Sequence, residues 1–274
     1  MKRILIVLML FTFISASFAQ KNRIYRSLDE AMTNPKEVYH LKLSFRHLED
    51  LPVTISKLVN LEVLELNNND LTTLSPEVCK LSNLKELNLF RNKLKSLPEN
   101  IGDLKKLEKL ILSSNRLNTL PTSIGQLKQL KELSVKDNKL TSLPNEICQL
   151  TKLEQLFLSY NDLKAVPDSI GKLENLEQLY LGDNDLMFLP ASAAKLVKLK
   201  YFYLGRNEFT QLPSAICSMV KLKELDIAYS GAMGFLPDCL RNIELLDLLI
   251  IDNNMTLPYK QSAFHNPSLK IILK

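Results

Sequence analysis

Aromatic side chains at a constant interval are the residues of this sequence best suited to chemistry, and that chemistry is binding. Phe157, Tyr180 and Tyr203 follow one another at intervals of 23 residues. Large aromatic rings and arginine contribute most to the centres of protein interfaces. Because aromatic residues make up only 7% of the 274 residues, this spacing indicates that a repeated structural element places the three rings side by side.

The residues that could support catalysis or metal binding lack the required spacing. His40, His47 and His265 form no ligand pattern. The sequence contains no G-x-S-x-G, H-E-x-x-H, C-x-x-C or phosphate-loop motif. The net charge is +5, but acidic and basic residues are mixed along the whole length, which disfavours nucleic acid as a partner. We therefore predict no enzymatic activity, no metal and no cofactor.

A repeat of 23 residues must position the aromatic side chains. Its clearest early copy is Leu61-x-x-Leu64-x-Leu66-x-x-Asn69-x-Leu71, and a second motif, Leu-Pro-x-x-Ile-x-x-Leu, completes the unit. Ten copies can be aligned, six of them without a change of spacing. The copies begin at Val38, Leu61, Leu84, Leu107, Leu130, Leu153, Leu176, Leu199, Leu222 and Leu245.

Each copy predicts one short strand and one short helical turn. Leucine alternating with polar residues is typical of a strand with one buried face, and apolar residues at every third position fit a 3₁₀ turn. Nine prolines open the second motif, at positions 52, 98, 121, 144, 167, 190, 213, 237 and 258. Because the outer side is wider than the strand side, the stack must curve. The predicted fold is an α/β solenoid, a curved horseshoe with a parallel β-sheet on the concave face and short helices or 3₁₀ turns on the convex face.

The first residues predict export. A basic start and an apolar run over residues 4–14 precede Ser17 and Ala19, the small residues of a cleavage site after Ala19. The run is too short to cross a bilayer, which takes about 20 residues, so we predict a secreted or surface-exposed chain without a transmembrane segment. The predicted divisions are a signal peptide at 1–19, an N-terminal cap with a short helix at 20–37, a repeat domain at 38–266 and a terminal strand or C-terminal cap at 267–274. Removal of the signal peptide lowers the formal charge from +5 to +3.

The repeated motifs resemble the leucine-rich repeat, and their 23-residue consensus is similar to the Ras-suppressor and Scribble-like class. The resemblance covers nearly the whole mature chain. Members of that class are largely intracellular in eukaryotes, whereas this chain begins with a secretory signal. The resemblance therefore implies a secreted bacterial relative.

Asparagine at the ninth position of the motif predicts a buried structural ladder. Its amide both donates and accepts hydrogen bonds, so it can satisfy the backbone where the chain leaves each strand. Arg46 and Ser230 take this position in two copies, where we expect a less regular turn. The predicted ladder comprises Asn69, Asn92, Asn115, Asn138, Asn161, Asn184 and Asn207.

The cysteines do not form a disulfide framework. Cys79, Cys148 and Cys217 are each 69 residues apart, or three whole repeats, and at about 5 Å per repeat they lie too far apart to pair. They share a column with serine, glycine and alanine, which predicts small packing residues on the outer side. Cys217 and Cys239 belong to adjacent repeats, so a disulfide between these two stays open.

The register of the last two strands also stays open. The repeat pattern places Leu245, Leu248 and Ile250 in the core and Leu249 on the outward side. However, Leu236-Pro237 arrives one residue late, and the last strand is apolar on both faces. A slip of one residue would exchange the two faces.

The outward-facing strand positions of copies six to nine form the candidate surface for binding another protein. Leucine already fills the core, so rings on a solvent-facing strand indicate an interface. The alternative interpretation is cross-strand stacking that only stabilises the sheet. Two other functions stay open, a glycan-binding surface protein that uses the same rings and a self-associating envelope protein joined through its apolar last strands. The predicted partner-binding residues are Phe157, Tyr160, Gln178, Tyr180, Asp183, Tyr201, Tyr203, Arg206, Glu224, Asp226 and Tyr229.

Overall fold

The computed structural model describes residues 21–212, 214–231, 236–255 and 263–274. The predicted signal peptide at 1–19 and the repeat prolines Pro213 and Pro258 lie outside these residues. The described residues form a 12-stranded parallel sheet in which the strands follow one another in chain order. A sheet that gains one strand from each successive repeat is a solenoid, and the predicted fold class is confirmed.

Each repeat contributes one strand to the concave sheet and one 3₁₀ turn to the convex side. The strands are β1 (Ile24–Tyr25), β2 (His40–Lys42), β3 (Val63–Glu65), β4 (Glu86–Asn88), β5 (Lys109–Ile111), β6 (Glu132–Ser134), β7 (Gln155–Phe157), β8 (Gln178–Tyr180), β9 (Tyr201–Tyr203), β10 (Glu224–Asp226), β11 (Leu248–Ile251) and β12 (Lys270–Leu273). The helical elements are α1 (Leu28–Thr33) and the 3₁₀ turns Pro35–Glu37, Val53–Lys57, Pro76–Lys80, Glu99–Asp103, Thr122–Gln126, Asn145–Gln149, Ile170–Lys172, Ala191–Lys195, Ser214–Ser218 and Asp238–Asn242.

The leucine positions of the motif build one continuous core. Leu61, Leu64 and Leu66 are fully buried, because alternate strand residues point to the same face of the sheet. The equivalent residues of the following repeats join the same core. From β2 to β10 every strand residue pairs with the residue 23 positions further along the chain. Outward-facing residues of neighbouring repeats therefore stand in straight columns.

The N-terminal end of the core is covered by α1 and β1. The hydroxyl of Ser27 accepts a hydrogen bond from the backbone N–H of Glu30 at 3.2 Å, which is the first half of a capping box. The Glu30 carboxylate in turn accepts the N–H of Arg26 at 3.4 Å. β1 pairs with β2 and extends the sheet by one strand that the repeat pattern does not predict. The domain boundaries given above remain predictions.

The asparagine at the ninth position connects each repeat to the one before it. The Asn184 amide donates to the carbonyls of Leu158 at 3.1 Å and Leu181 at 2.9 Å, and its oxygen accepts the N–H of Leu163 at 3.0 Å. The same three kinds of bond recur from Asn92 to Asn207, although Asn115 and Asn138 are half-buried rather than buried.

The two departures from asparagine keep part of this network. Ser230 is fully buried, and its hydroxyl donates to the carbonyl of Leu204 at 2.8 Å, which is the bond to the preceding repeat. Arg46 instead reaches back to the N-terminal cap, where its guanidinium donates to the carbonyl of Arg26 at 3.0 Å. Each substitute therefore still ties its turn to the chain before it.

The last repeats are shifted by one residue relative to the sequence pattern. Leu246, Leu249 and Ile251 are buried, whereas Leu245 is 48% exposed. Leu248 of β11 pairs with Glu224 of β10, a separation of 24 residues. Because the ninth copy contains one additional residue, the inward-facing set of β11 moves by one position. The register of β11 that the sequence leaves open is therefore the shifted one, with Leu249 buried, and not the one in which the repeat pattern places Leu245, Leu248 and Ile250 in the core.

Cys217 and Cys239 form a disulfide, with their Cα atoms 5.5 Å apart. This resolves the pairing that the sequence leaves open. Cys79 and Cys148 are free and buried, and burial raises the pKa of the Cys79 thiol to about 12. Space is most restricted in this column at Gly171, where a Cβ would overlap the carbonyl oxygen of Ser192 in the next repeat.

Candidate binding site on the concave face

Three aromatic rings stand in contact on the concave face of β7, β8 and β9. The register pairs Phe157 with Tyr180 and Tyr180 with Tyr203. The first two rings are tilted, with centroids 4.9 Å apart, and the second two are stacked at 4.4 Å. We call Phe157, Tyr180 and Tyr203 the aromatic stack. The constant strand register brings these rings together, because each occupies the same position of its repeat.

The hydroxyl groups of the stack remain protonated donors. Burial raises the pKa of Tyr180. Burial also raises the pKa of Tyr203, and a hydrogen bond that its hydroxyl donates to the Glu224 carboxylate raises it further. The stack therefore carries no charge at neutral pH, and Glu224 fixes the orientation of the last ring.

A second row of side chains stands at the turn that follows the strands. Tyr160, Asp183, Arg206 and Tyr229 have positive φ angles between 55° and 59°, a region that residues other than glycine adopt only where the surrounding structure requires it. The Arg206 guanidinium lies 5.4 Å from the centre of the Tyr229 ring and 3.7 Å from the Asp183 carboxylate. Lys136 lies 5.0 Å from the centre of the Tyr160 ring. We call Tyr160, Asp183, Arg206 and Tyr229 the rim.

A cavity of about 480 Å³ lies between the aromatic stack and the rim. Its floor is formed by the seventh position of four successive repeats, Ser159, Gly182, Gly205 and Ala228. All four residues are small, so the space between the two rows stays open. A Cβ at Gly205 would lie 2.9 Å from the carbonyl oxygen of Ala228 and 3.0 Å from the Asp226 carboxylate.

Asp226 closes the C-terminal end of the cavity floor. Its carboxylate accepts the backbone N–H of Ala228 at 3.0 Å. Burial raises the pKa of this carboxyl, and the negative charges of Asp183 and Asp252 act in the same direction, whereas the Ala228 N–H and Lys274 oppose them. Lys274 also lines the cavity.

Most of the predicted binding residues meet at this cavity. Eight of them line it, namely Phe157, Tyr160, Tyr180, Asp183, Tyr203, Arg206, Asp226 and Tyr229. Glu224 contributes indirectly through the Tyr203 hydroxyl. Gln178 and Tyr201 pair with each other on β8 and β9 but are not among its lining residues.

The residues that form the floor and one side of the cavity, including Lys136 and Lys274, are not among the predicted binding residues. The signal for the floor was a run of small residues at 23-residue spacing, Ser159, Gly182, Gly205 and Ala228. In the described part of the chain, no group of three or more His, Cys, Asp or Glu residues is arranged to hold a metal ion. No helix among the described residues is both long and apolar enough to cross a membrane.

A parallel sheet built from 23-residue units, joined by an asparagine ladder and carrying a cavity on its concave face, defines the class of leucine-rich repeat solenoids. Family comparisons agree. A model of a leucine-rich repeat region matches residues 77–179, and a second leucine-rich repeat model matches residues 36–94 and 174–231. The chain is a leucine-rich repeat protein.

Solved structures extend the likeness over most of the chain. A leucine-rich repeat protein of Leptospira interrogans is 28% identical, with a TM-score of 0.51, over 92% of this chain and 88% of that one. A TDR receptor is 25% identical, with a TM-score of 0.71, over 92% of this chain and 50% of that one. The ectodomain of the Arabidopsis thaliana receptor kinase GASSHO1/SCHENGEN3, solved with CASPARIAN STRIP INTEGRITY FACTOR 2, is 28% identical, with a TM-score of 0.65, over 91% of this chain and 37% of that one. No curated protein matches the chain.

Proposed function

We propose that the chain is a secreted or surface-exposed module that binds a protein on its concave face, without catalysis. The observation that carries this proposal is the aromatic stack along one wall of a cavity of about 480 Å³. Rings that already hold their positions lose little conformational freedom when a ligand binds. Tyrosine and arginine, which recur at this cavity, are also enriched where interfaces gain most of their affinity.

Stacking and binding are compatible uses of the same rings. Contact between Tyr180 and Tyr203 stabilises the pairing of β8 with β9 by about 0.5–1.5 kcal/mol beyond the burial of area. All three rings of the stack nevertheless remain half-buried and line the cavity. We infer that stacking prearranges an apolar wall against which a ligand side chain packs.

The relatives support a protein as the ligand. The Arabidopsis ectodomain was solved in complex with a named factor, and leucine-rich repeats commonly act as protein-interaction modules. This chain spans half or less of the two receptor chains, so we transfer no signalling role from them. Export rests on the predicted signal peptide and on the likeness to a receptor ectodomain. Mass spectrometry of the exported chain should find Gln20 as its first residue.

The test compares two triple variants of the mature chain. Replacement of Phe157, Tyr180 and Tyr203 by alanine should weaken binding of a captured partner tenfold or more, measured by titration calorimetry. The matched control replaces Glu86, Lys109 and Glu132 by alanine, which changes the same concave sheet three repeats earlier. The control should bind as the wild type does. If the aromatic triple variant folds and binds its partner unchanged, the assigned face is wrong.

Self-association is the second candidate function because β12 is an edge strand of the described sheet. Ile272 and Leu273 of β12 are 41% and 58% exposed, and an apolar edge strand invites pairing with another chain. Light scattering of the mature chain tests this candidate, and a monomer at high concentration would contradict it. Binding of the wild type, but not the aromatic triple variant, to a glycan array would instead favour a glycan ligand over a protein.

A further inference from the structure

The floor of the cavity contains backbone N–H groups that no protein atom accepts. Within the described residues, the N–H groups of Ser159, Gly182 and Gly205 make no hydrogen bond. Ser159 is 8% exposed and Gly182 is buried. A buried N–H without a partner is uncommon in proteins, and leaving one unsatisfied costs about 1–3 kcal/mol. Gly205 is half-buried. Open donors at these three residues, in successive repeats at the bottom of one cavity, indicate a ligand site.

Two other repeats show how this N–H is reached. The Asn88 side-chain oxygen accepts the N–H of Phe90 at 3.0 Å, and the Asp226 oxygen accepts the N–H of Ala228 at the same distance. In both cases the acceptor belongs to the concave-facing strand residue two positions earlier. The N–H at the seventh position is therefore accessible to an oxygen on the concave side.

The aromatic stack removes this internal acceptor in three successive repeats. The residues two positions before Ser159, Gly182 and Gly205 are the rings of the stack, whose side chains have no oxygen next to the backbone. The N–H at this position is also without a protein acceptor at Ser44, Asn67, Ser113 and Lys136, but none of these residues has a glycine at the same position of an adjacent repeat. Among the described repeats, open donors occur beside a glycine floor only at Ser159, Gly182 and Gly205.

The charges around this row favour an anionic group. Lys136, Arg206 and Lys274 line the cavity. Of the two acidic lining residues, Asp183 is paired with Arg206 and Asp226 already accepts an N–H. Neighbouring strands lie about 4.8 Å apart, so each oxygen of one carboxylate can accept from one of two successive rungs.

We propose that a carboxylate of the protein ligand binds to this row of donors, its two oxygens accepting the N–H groups of two successive rungs, either Ser159 and Gly182 or Gly182 and Gly205, while the adjoining apolar part of that ligand packs on the aromatic stack. The assignment of this carboxylate to a protein ligand rests on the proposed function. The binding of a carboxylate by the N–H groups can be tested without a protein partner. A free carboxylate compound, N-acetylphenylalanine, is a suitable probe, and its carboxamide is the neutral control.

The experiment follows the backbone amide signals of the mature chain by ¹⁵N NMR during titration with the two compounds. The chain has only 7 glycines, so the signals of Gly182 and Gly205 are readily assigned. The carboxylate should shift the Gly182 signal together with that of Ser159 or Gly205, whereas the carboxamide should bind at least tenfold more weakly. Gly102 and Gly125, which lie on the convex side, report whether the fold is unchanged.

Two substitutions at one position isolate the donor row from the ring. Tyr180→Leu removes the ring and leaves the Gly182 N–H open, whereas Tyr180→Asn removes the ring and supplies an acceptor in the manner of Asn88. The leucine variant should keep a carboxylate-dependent shift at Gly182, and the asparagine variant should lose it. A small difference in probe affinity between the leucine variant and the wild type measures the contribution of the ring.

The proposal is overturned if the carboxylate leaves the three signals in place or if the two variants respond alike. It is also overturned if inorganic sulfate shifts the signals at a lower concentration than the carboxylate, because the site would then prefer a sulfate-like group. None of these results affects partner binding by the aromatic stack. Conversely, an aromatic triple variant that binds its partner normally refutes the proposed function without changing the glycine shifts of the wild type.

Discussion

The concave face has two halves that share one scaffold and differ in their outward side chains. In the N-terminal half, charged residues of neighbouring strands neutralise one another. Glu65 contacts His40 and Lys42, each at 2.7 Å, and Lys109 contacts Glu132 at 2.6 Å. In the C-terminal half the column of Lys42 and Glu65 holds the aromatic stack, and the adjacent floor holds N–H groups without a protein acceptor.

The repeat therefore determines where each outward-facing side chain lies, whereas the residue type determines what that side chain contacts. Both halves keep the 23-residue register and the asparagine ladder. In the N-terminal half, which we call the charged half, charged side chains pair with one another across adjacent repeats. The aromatic half leaves donors and ring edges available to a ligand. Exposed ion pairs contribute little to stability, about 0–1 kcal/mol each, so the charged half is no more stable for them.

Substitutions in the asparagine ladder should cause the largest loss of stability, and they test whether the scaffold is the same in both halves. Asn92→Ala and Asn184→Ala each leave one backbone N–H without a partner, that of Leu71 or Leu163. Each variant also removes one of the two amide donors from two carbonyls, which keep the bond from the adjacent asparagine. Since an unsatisfied buried N–H costs about 1–3 kcal/mol and each lost hydrogen bond about 0.5–1.5 kcal/mol, both variants should lose about 3 kcal/mol or more in urea unfolding. A loss confined to one variant would show that the two halves are not held by the same network.

The shared scaffold is also what the sequence predicted best. A period of 23 residues specifies strands, turns and inward-facing leucines through spacing alone, and the columns that carry the aromatic stack follow from it. Backbone donors leave no mark in a sequence, so the floor of the cavity could be recognised only from the small residues at 182 and 205. The shift of β11 was missed because one additional residue in an apolar stretch gives no periodic signal. The disulfide of Cys217 with Cys239 required the adjacent turns to be placed in space.

Removal of the disulfide should cause a smaller loss of stability, confined to the C-terminal half. The disulfide closes a loop of 22 residues, for which a chain-entropy argument gives about 3 kcal/mol. Replacing Cys217 and Cys239 by alanine should therefore destabilise the last repeats by about 2–3 kcal/mol, measured by native-state hydrogen exchange. The first repeats should keep their protection because a solenoid transmits stability mainly between neighbours. Uniform loss of protection along the chain would contradict this separation.

The contribution of the ion pairs to the stability of the charged half should be lost at acid pH. Burial alone would raise the pKa of Glu65, but hydrogen bonds from Lys42 and His40 outweigh it and hold the pKa below its ordinary value. A depressed carboxyl pKa contributes stability above the unfolded pKa of about 4.3, and this contribution is lost as the pH falls through the folded value. Glu65→Gln should cost about 1 kcal/mol or less at pH 7 and nothing near pH 2, by urea unfolding at both values. Equal costs at both pH values would show that the ion pairs do not act through charge.

Asp226, at the end of the aromatic half, should contribute to stability with the opposite pH dependence. Burial raises the pKa of its carboxyl, so the folded chain holds this proton more tightly than the unfolded chain. The resulting stability is complete below the unfolded pKa of about 3.9 and is lost as the pH rises through the folded pKa. Asp226→Asn keeps an oxygen for the Ala228 N–H and removes the charge, so it should stabilise the chain by less than about 1 kcal/mol at pH 7 and leave it unchanged at pH 2. Asp226→Ala, which also removes the acceptor, should be less stable than Asp226→Asn at both pH values. If Asp226→Asn were instead destabilised at pH 7, attraction to Lys274 would outweigh burial, and the aromatic half would depend on charge as the other half does.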